Sequence, residues 1–220
     1  TLWNVNLKQM GASYDLIRAI QINTGNPSQN LALFKTLASQ NPFALQEVRE
    51  HLAMYVLDGN KMANADAALK QEAYTFALTQ MDDELQRAKG DIRLMVQKVG
   101  IYTAAGDMQK ALSVMDEILA LSPKKQMLIV QKANMLWQMG STSEASKEYT
   151  RAYELDTSFD GLALYHALGR IISGEPGGVE EGRAFLRTRF GTDSVDNDLL
   201  VLAYFQKKEW EPLLGILGNR

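Results

Sequence analysis

The sequence predicts an all-α protein, a right-handed α-solenoid of about six antiparallel helix hairpins. Three observations carry this. Apolar residues follow a helical period almost throughout, with no run of strand-like alternation. Only five prolines occur, and they stand where helices start or stop. Glycines recur at 106, 140 and 174, each 34 residues after the last, and other positions fall into register with them.

Twelve helices follow from the periodicity, at about 9–22, 27–39, 43–57, 64–88, 91–104, 108–120, 125–138, 142–154, 158–173, 178–190, 195–206 and 209–217. Asn26-Pro27 reads as an N-cap followed by Pro at the first helical position. Pro42 and Pro123 follow the ends of apolar runs, and Pro176 lies in a Gly-rich turn. The connections are short, so consecutive helices should pair as hairpins. After Gly59 the run 60–89 supplies a helix of about 24 residues, near 36 Å long, which should protrude beyond its neighbours.

Aligned on the glycines, Ala111 and Ala145, Ala133 and Ala167, Met115 and Tyr149, Ile118 and Ala152, and Leu121 and Leu155 are all 34 apart. Gly25 and Gly59 share the spacing. Gly106 should end the first helix of a hairpin with φ > 0. Asp107 should then cap the next helix, and Ser141 takes the same place after Gly140. Small residues at 111 and 145 let paired helices approach, and Met115, Tyr149, Leu121 and Leu155 fill the space around them. No hairpin buries its apolar face alone, so neighbours must stack. The whole chain reads as one repeat domain: degenerate repeats with the long helix at 1–90, two clear repeats at 91–159, and looser repeats with a cap at 160–220.

Composition narrows the function. The 46% hydrophobic and 22% charged content is that of a globular protein. With 23 basic and 26 acidic residues the net charge is −3, which argues against nucleic acid or anionic lipid as partner. There is no cysteine, so disulfides, thiolate catalysis and cysteine zinc sites are excluded. No apolar run approaches the roughly 18–20 residues that span a bilayer. The first residue is Thr1 rather than Met and no signal peptide is legible; both predict an excised piece of a longer chain.

Catalytic candidates are few, and each has a structural reading. His51 and His166 lack partners at metal-ligand spacing, so both read as structural. In "QEVRE" (46–50), Glu47 and Glu50 share a helical face with Arg49 between them, which reads as a polar link between the first hairpins. The acids of "MDDE" (81–84) point around their helix rather than converge and read as a solvated face. "GEPGG" (174–178) lacks the Lys-Ser/Thr of a phosphate loop and reads as a turn. No catalytic residue, metal or cofactor is expected.

A 34-residue helix–turn–helix repeat with small residues at positions 8 and 20 and Pro near 32 resembles the tetratricopeptide repeat. Counting from 92, the chain supplies Tyr102, Gly106, Ala111 and Pro123. Counting from 126, it supplies Ala133, Gly140, Ala145, Tyr149 and Ala152. A third copy keeps Ala167 and Gly174. The usual Trp at position 4 is replaced by Met95 and Ile129. The resemblance implies a concave groove for a protein or peptide, lined by Arg93, Val96, Thr103, Met127, Val130, Asn134, Trp137, Gln138 and Leu168, with Leu164 and Ile171 beside them. Trp137 and Asn134 would anchor the partner; the alternative is that Trp137 packs between repeats.

The runs "NPFALQEVREHLA" (41–53), "DIRLMVQKVGIYTAAGD" (91–107) and "LSPKKQMLIVQKANMLWQMGSTSEASKEYTRAYELD" (121–156) resemble the C-terminal region of bacterial O-antigen ligase or polymerase-like membrane glycosyltransferases. The start, "LWNVNLKQMGASYDLIRAI", resembles the junction after the last membrane span. This implies a non-catalytic domain in the bacterial envelope, tied to the membrane only through a missing N-terminal part that would hold the catalytic groups. The other reading is a free-standing scaffold or adaptor of envelope assembly or secretion, cytoplasmic or periplasmic. The membrane face, the partner and the oligomeric state stay open.

Overall fold

The computed structural model describes residues 11, 13–20, 26–40 and 44–220, and every regular element among them is an α-helix. Helix α1 is described over residues 13–20. Then come α2 (Pro27–Ser39), α3 (Leu45–Leu57), α4 (Ala67–Arg87), α5 (Ile92–Ala104) and α6 (Met108–Leu121), followed by α7 (Gln126–Gln138), α8 (Thr142–Glu154), α9 (Asp160–Ile172), α10 (Gly178–Phe190), α11 (Asp198–Lys207) and α12 (Trp210–Gly218). Pro42 and Gly25 lie outside the described residues.

Helix starts are set by caps. Asn26 accepts the Gln29 N–H at 3.2 Å, ahead of Pro27 at the first helical position. Asp66 accepts the Leu69 N–H at 2.7 Å, and Asn197 those of Leu199 and Leu200 at 2.9 and 3.2 Å. These caps start α4 and α11 three residues later than their apolar periods suggest, because the period continues through the capping residue. Asp107 caps as expected, accepting from Lys110 N at 3.1 Å. Ser141 occupies the N-cap of α8 without a side-chain bond to the helix.

Gly106, Gly140 and Gly174 have φ of +79°, +83° and +81°. The 34-residue spacing is therefore a spacing of left-handed turns, where a side chain other than glycine is strained. Gly59 shares the spacing but not the conformation; α3 ends at Asp58 in an extended conformation instead.

The chain divides into two compact units, Thr1–Leu121 and Ser122–Arg220. In the first, α3 packs against α2, α4 and α5, and α5 also packs against α4 and α6. Its core holds Phe34, Leu52, Tyr55, Ala73, Ala77, Met81, Leu94 and Ile101. The Phe34 and Tyr55 rings meet at 5.4 Å between centroids. In the second unit α8 packs against α7 and α9, α9 also against α10 and α11, and α11 against α12. Within each unit, consecutive helix pairs stack in chain order, the build of an α-solenoid.

The repeated small and large positions fill this core. Ala111, Ala133, Ala145, Ala152, Ala167, Met115, Ile118 and Tyr149 are fully buried. Leu121 and Leu155 are not; they stand exposed because one is the last residue of α6 and the other the C-cap of α8, where the chain turns outward. Helix α4 runs 21 residues against 13 for α3 and α5, about 31 Å at 1.5 Å per residue. Its first buried residue is Ala73; in its first six residues Leu69 is half-buried against the core and Glu72 is tied to Lys35.

Candidate functional site

In the second unit, α7 and α11 border a groove of about 250 Å³ lined by Asn134, Trp137, Gln138, Leu199, Leu202 and Gln206. Trp137 is 8% exposed, so most of the indole is packed and only an edge reaches the groove. Leu199, Leu202 and Gln206 are three and four residues apart, one face of α11. Three amides and three apolar side chains thus make the lining, with no ionisable group.

The walls are held from behind. The Tyr149 hydroxyl donates to Asn134 Oδ1, and the Tyr149 ring stacks on Tyr165 at 5.7 Å. Burial pushes the Tyr149 phenol far above its ordinary range, so it remains a donor at any physiological pH. Asn134 is thereby held through its oxygen. On the other wall, Tyr204 is fully buried and donates to Asp193 O at 2.7 Å. Arg183 joins Asp193 (2.9 Å), Glu209 (3.0 Å) and Glu211 (3.3 Å), tying the loop before α11 to the start of α12.

The remaining expected groove residues divide by unit. Met127 is 59% exposed on the first turn of α7. Val130, Leu168 and Ile171 are buried and offer no surface; they complete helix-to-helix packing instead. In the first unit, Arg93 pairs with Glu50 and with Asp91, Thr103 donates to Val99 O at 2.9 Å, and Val96 is half-buried. Leu199, Leu202 and Gln206 escaped the sequence reading. They lie beyond the irregular 174–178 turn, where the 34-residue register no longer indicates which helix face turns inward.

The polar clusters resolve as ties between helices. Arg49 is buried and bonds Glu84, Gln80 (3.1 Å) and Asp83 (3.4 Å), while Glu50 reaches Arg93. "QEVRE" is the expected polar link, from α3 to α4 and α5. "MDDE" is not the solvated face expected. Glu84 is buried against Arg49, and Asp82 pairs with Lys98 at 2.6 Å. His51 lies 3.9 Å from Glu47. His166 sits between Tyr153 and Phe185, with Thr150 Oγ1 at 3.2 Å from its Nδ1. "GEPGG" is a turn with Gly174 and Gly177 both left-handed.

A second, polar hollow of about 240 Å³ lies along α8, lined by Ser143, Ser146, Lys147, Thr150, Arg151, Glu154, Arg170 and Glu175. Arg151 is engaged by Glu148 and Pro123 O, both at 3.0 Å, and Arg170 by Glu181 at 3.6 Å.

Among solved structures, the chain is similar to a tetratricopeptide repeat protein from Parabacteroides merdae, with a TM-score of 0.61 and 16% identity over 94% of this chain and 78% of that one. The fold is that of tetratricopeptide-repeat proteins. It is also similar to a chain in the structure of Naa15/Naa10 bound to HypK-THB, with a TM-score of 0.53 and 14% identity over 92% of this chain and 37% of that one. At such identities the likeness is one of fold. No family profile matches the chain, and no curated protein matches its sequence.

Proposed function

We propose that this chain is a non-catalytic protein-interaction domain that holds an uncharged, largely apolar peptide segment in the α7–α11 groove. The observation that carries this is the lining itself. Trp137, Leu199 and Leu202 offer apolar contact, and Asn134, Gln138 and Gln206 offer amides that can bond a peptide backbone. A carboxylate or ammonium entering this groove would lose hydration and find no opposite charge among its lining. The likeness to a tetratricopeptide repeat protein supports a binding role, as does the likeness to a chain of Naa15/Naa10, which was solved with HypK-THB bound.

The runs 41–53, 91–107 and 121–156 support a setting for this domain as part of an O-antigen ligase-like membrane protein of surface-polysaccharide or glycan transfer. No helix among the described residues is long and apolar enough to cross a membrane. In that setting the domain recruits or orients an acceptor or assembly partner. A free-standing scaffold of envelope assembly is the other setting, favoured by the fact that stacking alone accounts for the repeat positions Ala111, Ala145 and Tyr149.

A library of peptides displayed against the purified chain tests the groove. Enriched sequences should be apolar and uncharged, and Leu202→Asp should abolish their binding while leaving helicity intact. Enrichment of acidic or basic peptides, or indifference to Leu202→Asp, would overturn the assignment. Fractionation of the full-length gene product separates the settings: the membrane pellet favours the ligase-like protein, and the soluble fraction the scaffold.

A further inference from the structure

Helix α12 is apolar on two faces. On the inner face Leu213 and Ile216 are buried, and Gly215 lies so close to the 192–197 loop that an added Cβ would sit 2.4 Å from Ser194 Oγ. On the outer face Trp210, Leu214 and Leu217 recur at i, i+4 and i+7 and are 52%, 66% and 48% exposed. Phe205 of α11, 61% exposed, extends the patch and meets the Trp210 ring edge to face at 6.1 Å. A helix that is apolar all round is normally a buried one.

The size of the patch indicates what covers it. About half of each of these four large side chains is open, on the order of 400 Å² in all at roughly 150–200 Å² per side chain. A standard stable interface takes about 800 Å² per partner, of which about 60% is apolar. The patch is therefore close to the whole apolar share of one such interface.

Its charges favour a second copy over a foreign partner. Lys208, exposed and without an ion pair among the described residues, lies on one side of Trp210. Glu211, which keeps its side chain 90% exposed while one carboxylate oxygen bonds Arg183 at 3.3 Å, lies on the other. A patch flanked by one cation and one anion complements itself under a two-fold rotation, in which residue i of each copy meets residue j of the other. A foreign partner of strong single-sign charge would gain at one end and lose at the other. We propose that the outer face of α11–α12 is the two-fold interface of a homodimer, with Lys208 of each copy facing Glu211 of the other.

Sedimentation of the purified chain over a micromolar to sub-millimolar range tests this. A reversible dimer is expected, and Leu214→Glu should weaken it at least about tenfold with an unchanged helical spectrum. Lys208→Glu should also weaken it, and adding Glu211→Lys to that variant should restore it. If Leu214→Glu unfolds the chain, Leu217→Gln reads the same face. A monomer across the range, a dimer indifferent to both apolar variants, or a charge-swapped pair that keeps its helical spectrum yet fails to recover would each overturn the proposal.

Discussion

Arg49 and Glu84, 35 residues apart in sequence, are bonded to each other in the interior of the first unit, 6% and 5% exposed. The pair joins α3 to α4, tying the run that reads as a polar link, 46–50, to the one that reads as a solvated face, 81–84. Removing one partner leaves the other charge buried and unpaired, which costs about 3–5 kcal/mol. Glu84→Ala and Arg49→Ala should each lower unfolding stability by that order in urea. Replacing both with apolar residues of similar volume, Arg49→Met with Glu84→Leu, should recover most of the loss. Single variants within about 0.5 kcal/mol of the parent would mean that the pair is solvated in solution.

The repeat glycines should behave unequally. Gly106, Gly140 and Gly174 hold φ near +80°, where an L side chain is strained by about 1–2 kcal/mol. Each glycine-to-alanine change there should lower the thermal midpoint by a few degrees. Gly59→Ala should be neutral or slightly stabilising, because that backbone is not left-handed, an added Cβ meets nothing within 4 Å, and alanine restricts the unfolded chain. Equal losses at all four positions would contradict the assignment.

Stability should fall in mild acid through His166. Burial, then the neighbouring Arg170, depress its pKa below the ordinary 6.5, with Glu154 opposing. The unfolded chain therefore takes up the proton first as pH drops. Stability is full above about pH 6.5, declines below it, and levels off beneath the folded-state pKa. Urea midpoints measured at pH 7.5 and pH 5 should show this loss. His166→Gln should shrink the difference between the two, and an unchanged difference would place the acid sensitivity elsewhere.

The turns and the repeated small residues were legible because local chemistry determines them. A glycine after an apolar run, an Asp behind it and an alanine five residues on say the same thing wherever the chain later packs. Glu84 was not legible, since its burial depends on Arg49 arriving from another helix. Leu199, Leu202 and Gln206 were hidden for a related reason. Their face of α11 is chosen by how α11 lies on α9, and the long turn at 174–178 removes the register that would have indicated it. Val130 and Leu168 fit the groove spacing, yet both are buried in the core, Val130 on α7, which packs against α8, and Leu168 on α9, which packs against α8, α10 and α11.

The α9–α10 contact permits the sharpest steric test. At Gly182 an added Cβ would lie 2.6 Å from Ile171 Cγ1 and 2.7 Å from Ala167 O. The first contact could be relieved by a rotamer change, but the second is backbone, so α10 must move away from α9. That movement would open a packed core in which Ile171, Ala167 and Leu186 are fully buried. Overpacking of this kind costs about 1–3 kcal/mol, against a gain of under about 1 kcal/mol from better helix propensity. Gly182→Ala should therefore lower the stability of the second unit, read as a loss in the urea midpoint. Gly182→Ala together with Ile171→Val, which removes a methyl from the crowded side, should recover only part of that loss, since the carbonyl contact remains. Full recovery would mean that the side chain, not the backbone, sets the distance between the two helices.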